Sequence, residues 1–482
     1  MKRNVNHTRI TFAAARSALL NQNSGFLSHR AAGNALLIRV AGAAIAFLSQ
    51  PLLARWMGAS EYGIYAYVWI WVLLFGSLID FGFAANAQRF IPEYSKSKAF
   101  DLLRGFLAGS RLLVVVLSTF LAVLAAIGVS FVEPLLSAIL ILPLYLACLT
   151  LPLYGLILLQ DGVARSYDWM NIALLPLYII RPLAIIALMG AGQVVALPAD
   201  AKSAMIASVI ATWATALLQF VLLNRSLSAI TPDGGRRYEW KRWVATSLPI
   251  FIVGSFFFLL TYVDILVLQQ YRPADQVAIY FAATKVVSVI AFIYFSMSAA
   301  AAHKFAEYHA DGDSKRLADF VANCVRWTFW PSVAATAAIL AMGRPILWLF
   351  GPEFVEGYSL LFILCLGLLA RAAVGPIERL LNMLGEQKTC ALVYAGAFAI
   401  NLAGCFALIP RFGATGAALS TSTALIAESI ALFLVTKRRL GLTSFVWTPK
   451  YRSRALNSPT VEKPIVVSSH ATAAPRTSSL RL

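Results

Sequence analysis

The chain has 482 residues, 60% of them hydrophobic and 13% charged. Soluble proteins carry about 25% charged residues, so this composition excludes a water-soluble surface of matching size and leaves a bundle of membrane helices, which satisfy their own backbone hydrogen bonds in lipid. The net charge of +18 comes from 40 Lys and Arg against 22 Asp and Glu, and it reads as positive-inside bias rather than as a footprint for nucleic acid.

Residues 1–30 carry Lys2, Arg3, Arg9, Arg16 and Arg30, and no acid precedes Glu61. No apolar core with a small-residue cleavage site follows, so a basic cytoplasmic tail is expected rather than a signal peptide. The first hairpin comes next: an apolar run over 31–54, the turn Arg55-Trp56-Met57-Gly58-Ala59-Ser60-Glu61-Tyr62-Gly63, and a second run over 64–83. Each run is about 20 residues, the length that crosses a hydrocarbon core of roughly 30 Å. Ten more spans are predicted at 106–130, 135–159, 169–190, 203–223, 244–270, 277–300, 324–342, 357–377, 389–409 and 414–436, twelve in all. Their unbroken apolar character excludes a porin-type barrel, whose strands alternate. Residues 344–356 are too short to cross and are expected at the interface. The fold class is therefore an all-α polytopic membrane protein. Its expected divisions are a basic tail (1–30), a six-helix lobe (31–223), a cytoplasmic linker (224–243), a second six-helix lobe (244–440) and a Ser-, Thr-, Pro- and Arg-rich tail (441–482) expected to be disordered.

Orientation follows from the basic residues. With the N-terminus inside, and Arg326 at the edge of its span counted with the inner loop it borders, 30 of the 40 lie in the inner tails and loops, five lie outside, and five lie within spans. That asymmetry predicts both termini in the cytoplasm. A weak internal repeat links the turn Ala59-Ser60-Glu61-Tyr62-Gly63-Ile64-Tyr65 to Ala274-Asp275-Gln276-Val277-Ala278-Ile279-Tyr280. Two parallel halves are expected from it, with a substrate path between them.

The intramembrane cations are Arg39, Arg111, Arg181, Lys285 and Arg371. A charge in lipid costs a few kcal/mol or more, so each must snorkel to an interface or face the bundle interior. Arg39 and Arg111, near span ends, fit either reading. Arg181, Lys285 and Arg371 lie deeper and suit a water-filled cavity that receives an anion, since arginine holds phosphate oxygens in a bidentate fork. Candidate internal anions are Asp80, Asp264 and Glu428. Asp264 reads as a coupling-ion site or a salt-bridge partner, and Asp80 as more structural. Tyr145, Tyr154, Tyr178, Tyr262, Tyr294 and Trp213 could stack on sugars or serve as packing and interface anchors.

Enzyme signatures are lacking. No Walker loop occurs, the five His fall in tails or loops, and the five Cys form no CxxC pair. No cofactor and no metal site are expected. A membrane polymerase or ligase would need a large outer loop, and none is predicted.

Several stretches resemble the oligosaccharide flippases, the polysaccharide transporters of the multidrug/oligosaccharidyl-lipid/polysaccharide (MOP) exporter superfamily. They are the first turn through Tyr65, then Asp80-Phe81-Gly82-Phe83, Arg89-Phe90-Ile91-Pro92-Glu93-Tyr94, Ser247-Leu248-Pro249-Ile250 with Val263-Asp264, Leu380 to Lys388, Asn401, and Leu408-Ile409-Pro410-Arg411-Phe412-Gly413-Ala414-Thr415-Gly416. The resemblance covers roughly 30–440. It implies two six-helix lobes in a V around a basic central cavity, in an inner (cytoplasmic) membrane. It implies transfer of a polyprenyl-pyrophosphate-linked oligosaccharide to the outer face, for exopolysaccharide, capsule or O-antigen synthesis. Membrane lipids, a polysaccharide polymerase and a chain-length regulator are the implied partners. Arg39, Arg181, Lys285 and Arg371 are the matching candidates for pyrophosphate, and Asp264 and Asp80 for a coupling ion. Twelve spans argue against the peptidoglycan precursor as cargo, since its flippases usually have fourteen. A cation-coupled multidrug antiporter of the same superfamily is the alternative, and it would want a carboxylate-rich cavity.

Overall fold

The computed structural model describes residues 5–447, with side chains from 38 onward except at 253, 303 and 310. The side chains of the basic tail expected over 1–30, and all residues after 447, lie outside what is described. Among the described residues every regular element is helical.

The first helix, α1 (Val5–Asp80), is two limbs joined at Gly58, whose φ of 77° and ψ of 167° break the helix. A side chain is strained in that backbone region, and glycine is not. A second reversal follows at Phe81 and Gly82, with φ of 46° and 76°. There Asp80 Oδ1 accepts the Ala84 amide at 2.9 Å, satisfying a free donor at the start of α2 (Phe83–Lys96). The first lobe continues with α3 (Phe100–Val132), α4 (Ala138–Ser166), α5 (Met170–Leu175), α6 (Arg181–Val194) and α7 (Ala201–Ser228). The second contains α8 (Trp240–Tyr271), α9 (Ala274–Ala310), α10 (Ser314–Trp348), α11 (Tyr358–Val374), α12 (Ile377–Met383), α13 (Gln387–Phe412) and α14 (Ala414–Leu440).

Ten segments are long and apolar enough to cross a membrane. One of them, Ile38–Lys96, contains the reversal at Gly58 and supplies two passes. Helix α10 is not among the ten, because Thr328, Pro331 and Ser332 dilute its apolar stretch. Its 35 residues nevertheless exceed the length a crossing needs, and it completes the twelve expected rods.

The internal repeat is a physical symmetry. Glu61 Oε2 accepts the Ala201 amide at the start of α7, while Gln276 and Arg272 sit against Gly413, just before α14. One turn further in, Tyr65 bonds Ser208 at 3.2 Å and Tyr280 bonds Thr421 at 3.4 Å. The equivalent turns also carry the lobe contact. A Cβ on Gly63 would collide with the Ala274 carbonyl. Tyr62 is fully buried, its ring among Phe281, Phe350 and Phe354 at centroid distances of 5.9–6.5 Å. Arg55 donates to the carbonyls of Trp348 and Leu349 at 2.8 Å each, at the end of α10 where carbonyls lack helical partners. Arg344 to Trp348 finish α10, and Phe350 and Phe354 pack between the lobes.

The opposite end, the linker face, is joined through α8. Asn86 Nδ2 donates to the Trp243 carbonyl at 3.1 Å and to Ser247. Buried Trp243 donates to Tyr94, and Arg242 pairs with Glu93 and Glu239. Farther along, α8 packs on α13. It thus starts on the first lobe and ends in the second. The disorder expected from 441 does not begin there: Leu442, Ser444 and Val446 are buried, and the Val446 amide donates to the Ala373 carbonyl.

Gly63→Ala should lower stability by about 1–3 kcal/mol, the usual cost of overpacking. Thermal unfolding of the purified protein in detergent measures it, and an unchanged midpoint would refute the close approach of the two turns.

Candidate functional site: a cavity between the lobes

A cavity of about 700 Å³ lies between the lobes. Both limbs of α1, the start of α2, α4, and the π turn with α6 line it from the first lobe, and α8 and α9 from the second. Its charged residues are Asp80, Asp161, Arg181 and Lys285. Ser49, Gln50 and Ser77 add neutral polar groups, and Tyr65, Trp69, Tyr154, Tyr178, Phe258 and Tyr262 add aromatic faces.

Local sequence explains the placement of Arg181. Pro176 and Pro182 flank it, and proline has no amide to donate. The chain between α5 and α6 widens into a π turn over Pro176–Ile180, with the Arg181 amide bonded to the Pro176 carbonyl. Such widened turns are often found at functional sites. The side chain is 9% exposed. Its Nε donates to Thr212 at 3.1 Å, and its guanidinium lies 4.2 Å from the Trp69 ring centre and 5.5 Å from that of Tyr154. Aromatic faces stabilise a desolvated cation yet leave its charge uncancelled. Lys285 stands on the wall contributed by α9, with its ammonium 4.6 Å from the Phe281 ring centre. Among the described residues neither cation has a carboxylate within ion-pair distance. An anion held by both would touch both lobes.

The acids are engaged differently. Asp161 pairs with Arg165 at 2.8 Å, one helical turn away. Asp80 caps α2.

The other sequence candidates lie off this cavity. Arg39 is exposed, near enough to Asp161 to act on it electrostatically. Arg371, 8% exposed, faces Glu428 at 3.3 Å inside the second lobe. Asp264 is buried, and it is held by the Tyr280 and Thr421 hydroxyls and the Ile265 amide rather than by an arginine. Arg111 reaches Asn224 at 2.8 Å, away from the cavity. Of the aromatic candidates, Tyr154, Tyr178 and Tyr262 reach the cavity, whereas Tyr294 packs beside Arg371 and Trp213 donates to the Leu149 carbonyl. Sequence reasoning missed Trp69 and Asp161. The spacing of Tyr65 to Trp69, and of Asp161 to Arg165, puts each pair on one helical face. That spacing was the available signal.

The sequence model of a family described as polysaccharide biosynthesis protein matches residues 30–303. The chain belongs to that family. A second model, MatE, matches 249–407. Several solved transporter and flippase structures share the fold of this chain. A multidrug resistance MATE family transporter in an inward-facing conformation superposes with a TM-score of 0.66 at 13% identity, over 83% of this chain and 94% of that one. The lipid II flippase MurJ in an inward closed conformation gives 0.64 at 15% identity, over 84% and 87%. A MOP superfamily transporter from Pyrococcus furiosus Vc1 (DSM3638), described as having a binding pocket of reversed polarity, gives 0.58 at 12%, over 84% and 93%. An uncharacterized transporter, YisQ of Bacillus subtilis (strain 168), is 23% identical over 203 residues, 40% of this chain and 44% of that relative's length. The family member described here is thus a multi-pass membrane protein, all-helical among the described residues, with the fold of MATE transporters and the lipid II flippase.

The two buried arginines should differ in stability. Arg371→Ala strands the Glu428 carboxylate and should cost about 3–5 kcal/mol. Arg181→Ala strands no acid and should cost clearly less. Thermal unfolding of both variants in detergent checks the order, and equal losses would contradict the assigned partners.

Proposed function

We propose that this protein flips a polyprenyl-pyrophosphate-linked oligosaccharide across the cytoplasmic membrane by alternating access, with both termini in the cytoplasm. The observation that carries the reading is the pair Arg181 and Lys285 on opposite walls of one cavity, neither neutralised by an acid. Cationic side chains suit pyrophosphate oxygens, and the aromatic and hydroxyl-bearing walls suit sugar faces. The prenyl chain stays in lipid, and no covalent step is needed. Arg39, at the exposed margin, would meet the anion on entry. Arg371, already opposite Glu428, has no direct contact in this scheme. Exopolysaccharide, capsule or O-antigen synthesis would use the product, with a polysaccharide polymerase and a chain-length regulator as downstream partners.

A second reading, cation-coupled multidrug antiport, is favoured by one observation: Asp80 and Asp161 also line the cavity. Asp161 is occupied by Arg165 and Asp80 by a helix cap, which weakens that reading.

The deciding assay reconstitutes the protein in proteoliposomes with a fluorescent polyprenyl-pyrophosphate oligosaccharide. Arg181→Ala and Lys285→Ala should each reduce flipping by roughly tenfold or more, the loss of a charge-assisted hydrogen bond. Full activity in both would remove the cations from substrate binding. Efflux of a cationic dye without flipping would favour the antiporter.

A further inference from the structure

The second lobe holds a polar cluster with no part in the cavity. Arg371 on α11 and Glu428 on α14 are 8% and 1% exposed. Their approach is loose: one guanidinium nitrogen lies 3.3 Å from one carboxylate oxygen. Among the described residues, both Glu428 oxygens and Arg371 Nε are buried without a hydrogen-bond partner. A purely structural buried pair needs two-pronged geometry and saturated hydrogen bonds to offset desolvation. This pair has neither. Asp264 shows the contrast, since hydroxyl and amide donors occupy it.

A second carboxylate stands beside the pair. Glu378, on α12, is half-buried and accepts a bond from Asn382 at 2.7 Å. It lies close enough to Glu428 and Arg371 to act on both electrostatically. The groups facing Glu428 are thus Arg371 from α11, Glu378 from α12, Cys390 and Tyr394 from α13, and Tyr294 from α9. Phe257 of α8 closes the side over the guanidinium. With both carboxylates ionised, two negative charges share one positive charge. Carboxylates crowded in a low-dielectric site hold a proton between them.

We propose that Glu428 is an occluded proton-exchange site, loaded from the linker face through Glu378, with Arg371 as its counter-charge. A proton from water at that face binds a Glu378 oxygen and passes to a Glu428 oxygen, and Glu378 returns to its carboxylate form. Glu428 becomes a neutral acid. Arg371 then keeps the Tyr394 hydroxyl at 3.4 Å and the rings of Tyr294, Phe257 and Phe295 but loses its charged partner on α14, so the contact between α11 and α14 loosens on protonation. The site stands apart from the proposed substrate, and its test needs none.

The experiment is infrared difference spectroscopy of the full chain in nanodiscs, between alkaline and acidic buffer. Acidification should raise the band of a protonated carboxyl in apolar surroundings. Glu428→Gln should abolish it. If that variant misfolds, Arg371→Met with Glu428→Gln removes both charges together and should fold without the band. Asp264→Asn should retain the band. Rapid mixing on Glu378→Gln should show the same band rising several-fold more slowly. A band of full amplitude in either Glu428 variant overturns the site, and an unchanged rise in Glu378→Gln overturns the route.

Discussion

A charge at bilayer depth must find an opposite charge, an aromatic face or water. The arrangement of this protein follows from how each buried cation meets that demand. Arg371 turns inward and faces Glu428 in the second lobe. Arg181 lies over Trp69 and Tyr154 with one hydroxyl contact. Lys285 lies beside Phe281. The first arrangement neutralises a charge, and the other two shelter charges that remain uncancelled. An uncancelled charge can be held here because a cavity of about 700 Å³ separates the walls.

The cavity exists because the lobes meet at two restricted places. At the turn end, Tyr62 and its three phenylalanines form a desolvated plug, and Arg55 ties it to the end of α10. At the linker end, the first turns of α8 are anchored to α2 by Asn86, Tyr94 and Glu93. Between these anchors the wall carries Ile250, Phe251, Gly254 and Phe258 of α8. Under the proposed alternating access, one anchor would open while the other holds. The first anchor is mostly aromatic packing and the second mostly hydrogen bonds and ion pairs. The ends therefore respond to different conditions, since salt screens the exposed pairs at the linker end and leaves aromatic packing largely untouched.

The two halves share a plan and differ in chemistry. Tyr65 with Ser208 and Tyr280 with Thr421 occupy equivalent places. Only the second carries a carboxylate, Asp264, on the tyrosine. Each half thus presents one cation to the cavity, Arg181 or Lys285, and the second half also encloses Asp264 and Glu428.

Much was legible from the chain alone. Apolar runs of bilayer length determine helices, because lipid offers no other partner for the backbone. The turn containing Gly58, the repeat at Ala59 and Ala274, and helices of spanning length followed from local pattern, whereas the reversal at Phe81 and Gly82 did not. Tertiary structure alone decided which cations share a cavity. Arg371 and Arg181 look alike in sequence, each a lone arginine in an apolar run, and their fates diverge through Glu428, 57 positions away, and through Trp69, on another helix. Nothing local in residues 344–356 shows that Phe350 and Phe354 receive Tyr62 from the other lobe. Periodicity reports the depth and face of a residue within its own helix. The partner that neutralises or shelters a charge is set by how helices distant in sequence are packed together.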